Sequence, residues 1–264
     1  MAQGLAVITG ASSGIGRELA RIAAGEGYDL IVVADEPQID AAAGELAGQG
    51  GTVEAIEADL ATIEGNDRLI AAARGRPIDI LVANAGLGLG HGFLEQPVAD
   101  WRRLIDTNIV GTTYLLQKVL QQMVARDAGS VLITGSIAGL IPGAWQAVYN
   151  ASKAYLDSLA YALREELKDS RVNVTVLMPG PTETEFFRRA GMLDTPVGEA
   201  EKADPAKVAA DGWAAMKAGR AHVVSGFVNK LQAALSGVTP DTLLAKLHTA
   251  QAKPDDVETA RSGM

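Results

Sequence analysis

Cysteine is absent from the 264-residue sequence, which removes disulfide frameworks, thiolate metal sites and cysteine nucleophiles at once. Histidine is scarce: His91, His222 and His248 are the only three, far apart and in none of the short spacings that ligate zinc, so no metal site is expected. No apolar stretch approaches the length of a membrane span. The opening Met-Ala-Gln-Gly has no basic region, and the apolar run behind it breaks at Thr9-Gly10, too short for a signal segment. Positive charge is also in deficit, with 23 Lys+Arg against 32 Asp+Glu and a net charge of −9 that no long like-charge block concentrates. Such a field repels phosphate backbones and anionic lipid, so neither nucleic acid nor membrane is an expected partner. The expected setting is the cytoplasm.

What is present is an ordinary globular balance of 48% hydrophobic and 21% charged residues, enough to bury a full core. Short β-branched or apolar runs alternate with longer amphipathic stretches, the pattern of parallel strands joined by crossover helices. Strands are expected over 5–9, 29–34, 52–57, 78–83, 130–134, 172–178 and 221–224. Helices are expected over 14–25, 39–49, 63–73, 101–126, 149–169 and 205–218. Most of the strand runs are apolar nearly throughout, as strands covered by helices on both faces must be. Gly25, Gly27 and Gly50 read as helix stops and Asp204-Pro205 as a start. The expectation is an α/β fold with a doubly wound parallel sheet of seven strands. No repeat or linker interrupts it, so residues 1–264 read as one domain. Residues 227–264 form a C-terminal extension, with short helices over 227–235 and 239–251 and a polar tail from Lys253 expected to fray.

The first strand runs into Thr9-Gly10-Ala11-Ser12-Ser13-Gly14-Ile15-Gly16 and then a helix. In that context glycines let backbone amides approach a pyrophosphate at a helix N-terminus, the Rossmann-type arrangement. The glycines alone say little, because a tight strand-to-helix turn needs them for steric reasons. About nineteen residues beyond Gly16, Asp35 ends the second strand, near the offset of a carboxylate that binds an adenosine ribose. A carboxylate accepts hydrogen bonds from the ribose hydroxyls and repels a 2′-phosphate, so Asp35, reinforced by Glu36 and with no arginine in that turn, points to NAD. Arg17 at the start of the first helix is expected to be a solvated charge.

Ligands of open parallel sheets sit outside the carboxyl ends of the strands. There the third strand gives Ala58-Asp59-Leu60, the fourth Asn84-Ala85-Gly86, the fifth Gly135-Ser136, and the sixth Pro179-Gly180-Pro181-Thr182-Glu183-Thr184. On the next helix Tyr149 and Lys153 stand one turn apart on one face. Together these residues resemble the short-chain dehydrogenase/reductase family in its compact single-domain form, over about residues 5–224 and in the family's order. Thr9-Gly10-x-x-x-Gly14-x-Gly16 resembles its cofactor turn, Asn84-Ala85-Gly86 its strand-four motif and Tyr149-x-x-x-Lys153 its active-site motif. The resemblance implies a catalytic tetrad of Asn108, Ser136, Tyr149 and Lys153. It also implies a cofactor cradle of Gly10 and Ser12 to Gly16, with Asp35 at the ribose and Asp59 with Leu60 at the adenine. Asn84 to Gly86 would tie the central strands beside it. Tyr149 and Lys153 would meet the nicotinamide ribose, and Pro179, Gly180, Thr182 and Thr184 the carboxamide. The long tail after Val224 departs from the pattern.

Hydride transfer belongs to the nicotinamide, and the protein must hold a carbonyl carbon near it and move one proton. A tyrosine with pKa about 10 is a weak base at neutral pH, so Lys153 and the positive nicotinamide ring are expected to draw Tyr149 toward the working range. Ser136 would be a second donor to the substrate oxygen. Asn108, as the resemblance implies, would anchor a water leading from Lys153 to solvent; its plainer role is to interrupt a long helix. Tyr114-Leu115-Leu116-Gln117-Lys118 repeats the Tyr-Lys spacing inside a helix with no strand-end serine before it, and reads as a buried tyrosine and a solvated lysine.

Segments 87–93, 137–145 and 181–193 follow strands four to six and are the expected substrate walls. Leu87, Leu89, Phe93, Leu140, Ile141, Trp145, Phe186, Phe187, Met192 and Leu193 make them apolar, favouring a hydrophobic secondary alcohol or ketone. His91 reads as a loop histidine. The leading expectation is an NAD(H)-dependent alcohol dehydrogenase or ketone reductase. An NADP(H)-preferring reductase or a non-catalytic dinucleotide sensor on the same fold are the alternatives. The long helices 101–126 and 149–169, with Ala154, Leu156, Leu159, Ala160 and Leu163, are expected to pair two chains, a homodimer ahead of a homotetramer.

Overall fold

The computed structural model describes residues 3–49 and 51–254. The expected helix stop at Gly50 and the tail from residue 255 onward lie outside them.

Seven strands alternate with helices: β1 (Leu5–Thr9), α1 (Gly14–Gly25), β2 (Asp29–Ala34), α2 (Gln38–Leu46), β3 (Val53–Glu57), α3 (Ile63–Ala72) and β4 (Ile78–Ala83) come first. Then follow α4 (Val98–Ile105), α5 (Thr112–Ala125), β5 (Gly129–Thr134), α6 (Ala147–Glu166) and β6 (Val172–Met178). The last elements are α7 (Phe186–Arg189), α8 (Pro196–Glu199), α9 (Pro205–Lys217), β7 (His222–Val224), α10 (Phe227–Ser236) and α11 (Asp241–Ala252). The strands form one parallel sheet in the order β3-β2-β1-β4-β5-β6-β7. Chain direction across the sheet reverses between β1 and β4, and a crevice opens at that point beyond the strand ends.

Side chains alternate across each strand, so the apolar runs feed two cores. Leu5 and Val7 join the core under α3, α5 and α6, while Ala6 and Ile8 join the one under α1, α2 and α9. Burial of both faces is why these strands read as unbroken apolar runs rather than as alternating ones.

The expected single helix over 101–126 is instead two helices joined by a π-helical turn, Asp106–Gly111. Its cause is packing. Asn108 is fully buried, and its side chain receives the Leu87 N–H at 2.8 Å and donates to the Leu87 carbonyl at 2.9 Å. Gly111 lies against the Leu60 carbonyl so closely that a Cβ there would come within 1.8 Å of it. The extra residue in the turn lets both contacts form, as π-bulges at functional sites commonly do. α2 ends three residues earlier than expected, and Gly48 just beyond it adopts φ +87°. α7 and α8 have four residues each, too short to show a helical period in sequence.

Leu156 and Ala160 of α6 are buried in the core, and Leu159 and Leu163 pack against it, so of the five apolar residues expected to pair two chains only Ala154 is exposed. The large apolar side chains that this region does expose are Val110 and Val124 near α5 and Tyr155 and Tyr161 on α6. Among the described residues no helix is long and apolar enough to cross a membrane.

Candidate active site

A cleft of about 490 Å³ opens beyond the carboxyl ends of the central strands. Its floor is the glycine turn. Gly10 and Gly14 adopt φ +65° and +55°, conformations that L side chains rarely hold, and a Cβ on Gly10 would lie 2.9 Å from Ala85 Cα. On Gly16 it would lie 2.2 Å from the Gly10 carbonyl, so these glycines are required by the turn itself. A ligand-facing feature adds to that requirement. Ser13, the N-cap of α1, makes no side-chain capping bond, and Ser13, Gly14 and Ile15 line the cleft. The first N–H groups of α1 are thereby left for an anion such as a pyrophosphate.

Asn84 joins three strands: its amide donates to the Thr9 and Gly10 carbonyls at 3.0 and 3.3 Å and accepts from the Thr134 hydroxyl at 3.0 Å. Thr9 returns the contact, its hydroxyl accepting the Asn84 and Ala85 N–H groups at 2.8 Å each. Gly86 keeps the adjoining wall thin; a Cβ there would meet Asn108 Oδ1 at 3.3 Å and Lys153 Nζ at 3.6 Å. Pro179, Gly180, Thr182 and Thr184 line the opposite wall, with the Thr182 hydroxyl bonded to the Gly180 carbonyl at 2.9 Å. Leu60 is sent elsewhere, its side chain into the core and its carbonyl to Asn66.

Ser136, Tyr149 and Lys153 meet at the cleft wall, all at most 8% exposed. Ser136 stands where β5 ends, and its hydroxyl accepts the Ala138 N–H at 3.1 Å and donates to the Pro179 carbonyl at 3.4 Å. Asn108 lies behind, donating to Ser152 Oγ at 3.0 Å. Lys153 Nζ donates to the Thr134 carbonyl at 2.8 Å and stands 5.9 Å from the centre of the Tyr149 ring.

The expected softening of Tyr149 rests on Lys153 together with a positive nicotinamide ring; among the protein's own groups burial dominates. Burial pushes the phenol up to about 12; the Ser136 hydroxyl pulls it down and the Asp157 charge pushes it further up. The Lys153 ammonium is tied to the Thr134 carbonyl and is itself drawn down to about 8 by burial. At neutral pH Tyr149 is therefore a phenol with a proton to give, the state that carbonyl reduction requires.

Asp157, one turn beyond Lys153 on the same face of α6, was not anticipated. It is 4% exposed, neither carboxylate oxygen has a close hydrogen-bond partner, and a Cβ on Gly135 would overlap it. Burial pushes its carboxyl up to about 7 against the opposing pull of Lys153 and the Ser136 N–H. The four-residue step from Tyr149 to Lys153 to Asp157 was visible in the sequence; that the third position is buried was not.

The acidic end of β2 also differs from expectation. Two arginines reach the acidic end of β2 from distant segments. Arg103 of α4 pairs with both Asp35 and Asp59, and Arg189 of α7 bonds Glu36, which also accepts from the Ser12 hydroxyl at 2.6 Å. Burial acts to raise the Asp59 and Glu36 carboxyls, but these hydrogen bonds and charges outweigh it and hold both below their usual values. Arg17 is not among them; it pairs with Glu45. No local signal marks Arg103, which is 68 residues from Asp35 and 44 from Asp59.

Of the expected substrate residues, Leu87, Leu89, Ile141, Phe186 and Phe187 line the cleft. Trp145 and Met192 form a cluster with Phe187, Leu140 packs against the main core, and Phe93 and Leu193 are exposed. His91 is exposed at φ +69° and does not reach the cleft. The C-terminal extension does reach it: Gln232, His248 and Gln251 complete the far wall, and His248 Nδ1 is 2.7 Å from the Ala144 carbonyl. Tyr114 is half-buried and not a core residue, its hydroxyl donating to Asp67 at 2.7 Å. Among the described residues no group of three His, Cys, Asp or Glu side chains is placed to hold a metal.

A family model described as short chain dehydrogenase matches residues 4–192. The chain belongs to that family. An uncharacterized oxidoreductase of Myxococcus xanthus is 39% identical over 186 residues, spanning 69% of this chain and 73% of its own. A short-chain dehydrogenase from Sphingobium yanoikuyae, solved in complex with NADPH, superposes with a TM-score of 0.80 at 30% identity over 89% of this chain and 93% of its own. The bulky-bulky ketone specific alcohol dehydrogenase from Comamonas testosteroni superposes at 0.76 with 26% identity, over 90% and 94%. This short-chain dehydrogenase is an oxidoreductase that uses a nicotinamide dinucleotide, and the uncapped α1 N-terminus with its glycine turn fits that group. The family match ends before α9, so the helices that bring Gln232, His248 and Gln251 to the cleft lie outside it.

Proposed function

We propose that this short-chain dehydrogenase reduces hydrophobic ketones to secondary alcohols, or runs the reverse reaction, with NAD(H). The observation that carries the reading is the meeting of Ser136, Tyr149 and Lys153 on one wall of a cleft whose lining also includes Leu87, Leu89, Phe186 and Phe187. The nicotinamide supplies the hydride when bound. Ser136 and Tyr149 hold the substrate oxygen, Tyr149 gives it a proton, and Lys153 orients the cofactor ribose while Asn108 fixes the Leu87 backbone beside it. Support for an apolar substrate comes from that lining and from the likeness to a ketone-specific alcohol dehydrogenase. Support for NAD(H) comes from Asp35 at the end of β2.

NADH consumption with a panel of ketones tests this. Bulky apolar ketones should be turned over, polyols and sugar lactones should not, and NADPH should serve less well. NADH binding without turnover of any ketone would instead favour a dinucleotide sensor.

We also propose a homodimer formed through α5 and α6, supported by exposed Val110, Val124, Tyr155 and Tyr161. Light scattering at micromolar concentration should give twice the chain mass; a monodisperse monomer would overturn it.

A further inference from the structure

The acidic residue at the end of β2 does not act alone. Arg103 Nη1 lies 2.9 Å from Asp59 Oδ2, and Nη2 lies 3.0 Å from Asp35 Oδ2 and 3.3 Å from Asp59 Oδ1. One guanidinium thus bridges the ends of β2 and β3, and it also lines the cleft. Glu36 is engaged separately by Arg189 and Ser12, so the Arg103 group answers to Asp35 and Asp59. All three side chains of this bridge are 40–45% exposed, open to exchange partners with an entering ligand.

We propose that Arg103 and Asp35 form a paired selector for the adenosine ribose, in which Asp35 takes the 2′-hydroxyl and, when Asp35 is removed, Arg103 takes a 2′-phosphate. The inference deepens the NAD(H) reading and rests on it for the position of the ribose. Guanidinium presents a planar fork of donors that suits phosphate, and a fork held by two carboxylates has little left to offer a third anion. With Asp35 in place its charge both repels a 2′-phosphate and occupies the Nη2 donor. Without Asp35 that donor keeps only its longer, 3.3 Å contact with Asp59 Oδ1. Charge-assisted hydrogen bonds of this kind shift affinity by about 10- to 100-fold. The bridge adds little to folding, because exposed ion pairs contribute little, so its variants should remain folded.

The experiment is a set of binding titrations on wild type, Asp35→Ala, Arg103→Ala and the double variant. Each protein is titrated with NADH and NADPH by fluorescence and with 5′-AMP and adenosine 2′,5′-bisphosphate by calorimetry, with circular dichroism as the folding control. Asp35→Ala should move the ratio of bisphosphate to AMP affinity at least tenfold toward the bisphosphate, and raised salt should shrink that gain. Arg103→Ala alone should leave AMP binding as tight or tighter and weaken the bisphosphate. The double variant should lose the gain. A gain in Asp35→Ala that persists in the double variant, or bisphosphate binding indifferent to Arg103 in both backgrounds, overturns the proposal. A wild type that already prefers the bisphosphate and loses it on Arg103→Ala would sink the NAD(H) reading and leave the role of Arg103 standing.

Discussion

Replacing Tyr149 by Phe is expected to lower turnover by roughly 10²–10⁴ while NADH binding stays near wild type. The change deletes one oxygen and keeps the ring that packs 5.1 Å from Phe186, so the cleft wall is preserved. What is lost is the proton donor. Because burial holds the phenol protonated at neutral pH, no ionised side chain is removed and the fold should be unaffected. The second Tyr-x-x-x-Lys supplies a control within the same chain. Tyr114 donates to Asp67 on the protein surface and Lys118 Nζ sits 5.3 Å from the centre of its ring, and neither residue lines the cleft. Tyr114→Phe should leave kcat and KM unchanged. Steady-state rates and NADH titrations on the two variants decide the assignment: near-normal activity in Tyr149→Phe, or collapse in a folded Tyr114→Phe protein, would place the chemistry elsewhere.

Lys153→Ala is expected to abolish turnover, weaken cofactor binding and destabilise the fold, and the third effect comes from Asp157. Both side chains are at most 5% exposed on α6, and without Lys153 the Asp157 carboxyl loses the positive charge that opposes its rise. The sign with pH follows from the raised Asp157 carboxyl. Its folded value, about 7, lies above the ordinary value of 3.8, so the folded protein keeps a proton that the unfolded chain releases, and stability falls as pH rises through that window. Lys153 opposes the rise; without it the window extends upward. The loss in Lys153→Ala should therefore be larger at pH 8 than at pH 5, where Asp157 is protonated in both proteins. Adding Asp157→Asn to Lys153→Ala should restore most of the stability and none of the turnover. Thermal unfolding across pH on both variants, with activity measured alongside, reads the two roles separately. A deficit independent of pH, or one that Asp157→Asn fails to relieve, would mean that Asp157 and Lys153 are not coupled.

The sheet, the glycine turn and the strand-end motifs were legible in the residues alone, because these depend on local rules. Strands buried on both faces must be apolar nearly throughout, as most of these are, and the runs could be placed within a residue or so of where they lie. A strand turning sharply into a helix needs Gly10, Gly14 and Gly16, and a shared face of α6 needs Tyr149 and Lys153 four residues apart. Tertiary structure alone decided the charges around those motifs. Arg103 meets Asp35 and Asp59 because α4 lies across the ends of β2 and β3, a contact between segments that share no period. The π-helical turn at Asn108 exists because the Leu87 backbone and the Leu60 carbonyl press on α4 and α5 from outside. Burial of Tyr149, a property of the whole packed wall, pushes its phenol up against the pull of the Ser136 hydroxyl. Desolvation and long-range ion pairs depend on what surrounds a residue in space, and only the folded chain supplies that environment.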